Sequence, residues 1–239
     1  MSSLNRSSAL ILGISLILGL STLGYFLTEA ASRYKAFDRS VTVKGLSERE
    51  YKADIVLWPI QFNVASNDLA ELYSRVERQT QWIKEYLTNS GISAEEISVA
   101  APNITDKSAQ QYGGDSGATY RYSAFQTVTV YSTNVDKARS VMGNLSSLGK
   151  RGIVFIGNSY EGQTEYFFTR LNEVKPEMIE EATRKAREVA QKFAADSESK
   201  LGKIKKASQG QFSIYSRDSN NPHIKKVRVV STVEYYLSD

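Results

Sequence analysis

The stretch of this sequence that looks most like chemistry is Gly114-Asp115-Ser116-Gly117. A serine set between glycines can act as a nucleophile if an imidazole takes its proton and a carboxylate orients that imidazole. The chain has one histidine, His223, so any such base must be His223. It follows Ser116 in the chain, the reverse of the order in trypsin-like serine proteases, and Ala118 stands where those enzymes carry glycine. Flanking glycines and tyrosines make the segment 110–118 read as a flexible connection between strands. His223 lies in "NNPHIKK", a polar stretch, and reads as a solvated loop histidine. A hydrolase built on the Ser116 loop is therefore the alternative reading, and no residue is assigned a catalytic role.

Other chemistries are excluded or find no support. With no cysteine there are no disulfides, thiol nucleophiles or thiolate metal sites. One histidine rules out multi-histidine metal centres. No calcium-loop, dinucleotide-binding, Walker A or G-x-S-x-G pattern occurs, so no metal or cofactor is expected. Glu95–Glu96 and Glu180–Glu181 are adjacent pairs, which diverge by about 100° on a helix and read as solvated faces. Tyr112, Tyr120, Tyr122 and Tyr131 surround Arg121 and could stack on single-stranded nucleic acid. Strand packing explains these aromatics more simply. The net charge is only +4, with both signs interspersed, so no nucleic-acid partner is expected.

The elements that would position such residues begin with an apolar leader. Residues 7–28 carry no charge, and residues 9–27, "ALILGISLILGLSTLGYFL", are long enough to cross most of a hydrocarbon core of about 30 Å. Thr28 or Glu29 falls at the third position before any cut, a poor signal-peptidase site. Residues 1–30 thus read as an uncleaved membrane anchor, with a cleaved signal sequence as the alternative. Arg6 precedes the span while Arg33, Lys35 and Arg39 follow it, so flanking charge does not favour export.

Residues 31–40 read as a linker. Alternation then predicts strands at Val41–Lys44 and Ile55–Val64, joined by a hairpin-like "GLSEREYKAD". Pro59 suggests an edge or a bulge in the second strand. Asp68 is expected to cap a helix running to Asn89 and ended by Gly91. Pro102 marks another edge or bulge. A long strand follows, with Tyr120, Tyr122, Ala124, Gln126, Val128 and Val130 on one face. A short helix from Thr133 or Asn134 runs to Leu148, and residues 153–170 return to strand. Pro176 fits the first turn of a helix bearing Ile179, Ala182, Ala186, Val189, Ala190, Phe193 and Ser197 on one face. Strands near 204–215 and 225–237 close the chain. The order ββαββ then αβαββ predicts an α+β protein, two similar lobes with helices packed on antiparallel sheets.

Four segments in this order carry a resemblance: "VTVKGLSEREYKADIVLWPIQF", "NSGISAEEISVAAPNITD", "YRYSAFQTVTVYSTNVDKARSV" and "EATRKAREVAQKFAADSESKLGKIKKASQG". Together they resemble the SIMPL-domain family of YggE-like bacterial periplasmic proteins. The stretch "GKRGIVFIGNSYEGQTEYFF" departs from the family pattern. The resemblance implies a SIMPL-like α+β domain over residues 41–238 and a periplasmic, self-associating, non-enzymatic protein. It also implies a loose link with envelope or oxidative-stress responses, and it supplies no catalytic residue. The expectation is an inner-membrane protein with its soluble part in the periplasm, forming a homo-oligomer. A soluble ligand-binding protein with a cleaved signal peptide is a further alternative.

Overall fold

The computed structural model describes residues 6–37, 39–109, 119–157 and 162–238. It is a mixed α+β protein with two antiparallel sheets and an N-terminal apolar helix. That helix, α1, spans Arg6–Phe37. The segment read as a linker is therefore helical over 31–37, because nothing between Ala30 and Phe37 breaks a helix. Contacts divide the chain into two units made of interleaved segments. One comprises residues 49–174 and 213–227, the other residues 1–48, 175–212 and 228–239. These are not consecutive halves of the chain, so the element order expected for two similar lobes does not describe them.

The first unit is built on a six-stranded sheet. Its axis is the pairing of β2 (Ile55–Ser66) with β5 (Tyr122–Ser132), in continuous register from Val56 opposite Ser132 to Ser66 opposite Tyr122. Strict alternation buries Val56, Trp58, Ile60, Phe62 and Val64 from β2 and Ala124, Val128 and Val130 from β5. Helix α2 (Leu69–Asn89) covers this face through Leu72, Val76, Ile83 and Leu87. Its ends are those the sequence marks. Asp68 accepts a hydrogen bond from the backbone N–H of Glu71 at 2.8 Å, and Gly91 takes φ +88°, a conformation suited to glycine.

On the outer side of β5 lie β3 (Ile97–Val99) and β4 (Asn103–Asp106). The break between them contains Pro102, as its missing N–H requires. On the other side of β2, β6 (Val154–Phe155) pairs with Phe62–Asn63 and β7 (Glu165–Phe167) with Ile55–Leu57. Pro59 is thus not on an edge strand. It pairs with Thr129 in regular register and sits in the gap between β6 and β7, where no ladder bond is asked of it. Helix α3 (Val135–Met142) follows β5, capped by Asn134, and the short α4 (Ser146–Gly149) follows α3.

In the second unit, β1 (Ser40–Lys52) does not form a hairpin with β2. It pairs instead with β10 (Ile224–Ser238), whose other neighbour is β8 (Lys200–Gln209); the short β9 (Ser213–Ser216), whose residues count with the first unit, also pairs with β10. "GLSEREYKAD" is mostly strand, since its alternation continues that of Val41 and Val43. Helix α5 (Leu171–Asp196) starts five residues before Pro176, which lies inside it. Its buried stripe is Met178, Ala182, Ala186, Ala190 and Ala194. Val189 and Phe193, expected on that face, are 38% and 56% exposed. Small side chains at every fourth position let the helix backbone approach the sheet, and the bulkier residues turn away.

Candidate functional site

Ser116 and Tyr112 lie outside the described residues, so no geometry joins Ser116 to His223. His223 itself corrects the sequence reading. It is 6% exposed, a buried residue in a polar loop. That loop is fastened at several points. The Asp218 carboxylate accepts from the backbone N–H groups of Asn220 and Asn221 at 2.9 and 2.8 Å and from Arg217 at 2.8 Å. These partners, the Arg217 guanidinium foremost, pull its pKa down to about 2. The carbonyl of His223 accepts from the N–H of Ala53 at 2.8 Å, tying the loop to the end of β1.

The imidazole meets α3. Arg139 Nη1 lies 2.9 Å from His223 Nε2. A guanidinium only donates, so Nε2 must accept, and the neutral ring carries its proton on Nδ1. Tyr166 from β7 stands edge-on to the ring at 6.1 Å, and its hydroxyl lies 3.8 Å from Met142 Sδ. Burial raises the Tyr166 pKa, with Arg139 opposing. His223 is pushed down from its ordinary value, chiefly by burial and then by Arg139; Arg217 and Lys52 act the same way and Asp136 opposes them. The ring is therefore neutral at pH 7. Beside it is an open cavity of about 390 Å3 lined by Lys52, Ala53, Thr133, Asn134, Val135, Asp136 and His223. Lys52 and Asp136 pair across it at 3.1 Å, both well exposed.

Chemically, this arrangement makes a poor general base. One nitrogen is held by a cation and the other holds the proton. The ring acts as a strut between α3 and the loop before β10. One consequence is a pH dependence. His223 binds its proton more weakly folded than unfolded, so its contribution to stability is complete above about pH 6.5 and is lost as pH falls below that. The loss is at most about 1.4 kcal/mol per pH unit for one proton, and it ends once the lower folded pKa is passed. Chemical denaturation at pH 7 and pH 5 should show a smaller drop for His223→Gln, whose amide oxygen can still accept from Arg139. An equal drop in both proteins would contradict the buried neutral ring.

The remaining sequence candidates are dispersed. Glu96 closes a capping box by accepting from the Ser93 N–H at 2.9 Å. Glu181 is not a solvated group: it pairs with Lys185 at 2.6 Å and accepts from Ser47 Oγ at 2.9 Å. Arg121 is held by Asp106 at 2.9 Å and lies over the Tyr122 ring at 4.8 Å, while Tyr131 is half exposed. That guanidinium keeps the Asp106 carboxyl well below the usual range. Among the described residues no three metal-binding side chains come together. Sequence reasoning missed Arg139, although its place four residues after the buried Val135 was a signal that it lies beside the apolar face of α3.

These elements define an α+β domain following an apolar helix. A family model described as SIMPL, protein of unknown function (DUF541), matches residues 41–234. The chain belongs to that family, as its ordered segments lead one to expect. No curated protein matches it.

Proposed function

We propose that the chain is a membrane-anchored protein whose SIMPL domain faces the periplasm and works by self-association rather than by catalysis. The observation that carries the proposal is α1. Residues Leu10–Ala30 form a 21-residue span with mean hydropathy 2.1 and no burial. A span of that length covers about 31 Å, the thickness of a hydrocarbon core. Ser15, Thr22 and Thr28 bond carbonyls of their own helix at 2.6–3.0 Å, which an apolar surrounding demands. A signal sequence has the same length and composition, and retention of the helix after export separates the two. The Arg139 bond to His223 supports the non-catalytic reading, because it engages the only imidazole.

Self-association draws support from the second face of the six-stranded sheet. Residues opposite each other in a ladder share a face. Tyr131 opposite Leu57, Phe167 opposite Ile55 and Val154 opposite Asn63 all project away from the α2 side. They are 52%, 41% and 62% exposed. A second copy laid on this face would cover them, and a stable contact needs at least about 1,000 Å2 in total. By contrast, the edge strand β8 carries Lys200, Lys203, Lys205 and Lys206, which discourage pairing there. Light scattering on the full chain in detergent should give a protein mass that is a multiple of 26.6 kDa. Tyr131→Lys with Phe167→Lys should return it to one chain. A single-chain mass for the wild type at micromolar concentration would refute self-association.

A further inference from the structure

In the second unit, α5 ends against the start of β1. The Ser199 N–H donates to the carbonyl of Ala194 at 2.8 Å, closing the turn after the helix. Arg39 Nη2 donates to Ser199 Oγ at 3.2 Å, and the Leu237 N–H donates to the Arg39 carbonyl at 2.9 Å. The last turn of α5, the start of β8 and the end of β10 are therefore gathered beside Arg39. This end also carries Phe193 and Val189, one turn apart on α5 and 56% and 38% exposed. Neither belongs to the core of Val43, Ala186, Ala190, Val233 and Tyr235. Exposed apolar residues are common on protein surfaces, so it is the position of this pair that carries weight.

The apolar span of α1 ends at Ala30, and α1 itself continues to Phe37. Those further helical residues rise about 10 Å, and the step to Arg39 adds at most about 7 Å. Arg39 thus lies within about 17 Å of the hydrocarbon, of which the headgroup layer fills roughly 5–8 Å. A tether this short keeps the end of the unit that holds Phe193 next to the lipid surface. Charge does not select that surface, because Lys192 and Lys200 are matched there by Asp196 and Glu198. The apolar pair does.

We propose that Phe193 and Val189 insert at the headgroup–acyl boundary of the bilayer that α1 crosses, laying this end of the second unit on the membrane. The inference rests on the anchored reading. Apolar side chains of a surface helix settle about 5–10 Å into that boundary when they bind a membrane. Here the tether supplies the proximity, so two side chains suffice where a free helix needs a whole apolar face. The contact fixes how the unit stands on the lipid, which a single spanning helix leaves open.

The test places one bimane label on the full chain, which has no native cysteine, at Asp196→Cys, one turn beyond Phe193. The comparison label is at Gln209→Cys, the far end of β8, about 30 Å along the strand from Lys200. Each protein is placed in phosphatidylcholine nanodiscs whose headgroups carry a nitroxide quencher. The label at 196 should be quenched at least about twofold more than the label at 209, as expected of a group held at the headgroup boundary. Phe193→Asp with Val189→Asp should bring the two labels level. The melting temperature should stay close to that of the wild type, since both side chains are exposed. Equal quenching of the two labels, or quenching at 196 that survives the double substitution, would overturn the proposal and leave the anchor standing. A label at 196 shielded from aqueous iodide yet unquenched by the lipid nitroxide would overturn it in favour of a protein partner. Nanodiscs that fail to retain the chain would overturn the anchored reading and this inference together.

Discussion

Replacing Gly45 by valine is expected to destabilise strongly the unit that contains β1, β8, β10 and α5. A Cβ placed on Gly45 would overlap the carbonyl oxygen of Ala182 and come within 2.5 Å of the backbone nitrogen of Ala186. Both obstacles are helix backbone, so no side-chain rotation relieves them. The close approach has a cause in α5 itself, whose facing residues Ala182, Ala186, Ala190 and Ala194 are all at most 3% exposed. At Gly45 the helix presents only alanine methyl groups to the strand, so backbone meets backbone there. Overpacking of a filled core typically costs 1–3 kcal/mol, and displacing a helix backbone belongs at or above the top of that range. With a total stability of about 5–15 kcal/mol, a loss of about 3 kcal/mol lowers the melting temperature by roughly 10 °C. Gly45→Ala should show a smaller fall of the same kind. Gly149→Ala, with open space around the new methyl, is the control and should melt like the wild type. A Gly45→Val protein that melts with the wild type would contradict the packing of α5 on β1.

The second large effect is expected in α1. Leu16 and Leu20 are about 60% exposed and lie one turn apart near the middle of the apolar span. Arginine at the centre of a membrane helix costs about 2.5–3.5 kcal/mol per residue on the insertion scale. Leu16→Arg with Leu20→Arg should therefore shift the chain from the membrane pellet to the soluble or degraded fraction. Leu16→Ile with Leu20→Ile should leave it in the pellet. Unchanged membrane retention of the arginine variant would mean that α1 does not hold the protein there.

Local signals were legible in the sequence, and long-range partners were not. Asp68 and Gly91 mark α2 because capping and a left-handed turn depend on a few neighbouring atoms. The alternation of β5 shows which face is buried for the same reason. Alternation cannot say which strand lies alongside, so β1 reads as the first arm of a hairpin although β10, at the other end of the chain, is its partner. Pro176 fits a first helical turn locally, yet α5 begins at Leu171 and tolerates the missing bond. At the candidate site, His223 was visible as a residue type. Its burial was not, because its loop is polar and Arg139 lies 84 residues away.

The anchored state is the centre of this account, and the intact mass of the protein from salt-washed native membranes tests it most directly. The proposal expects a single species of 26.6 kDa, less at most the initiating Met1, recovered only after detergent is added. A shorter chain beginning near Ala31 and released without detergent would show that α1 is removed and that the domain works untethered.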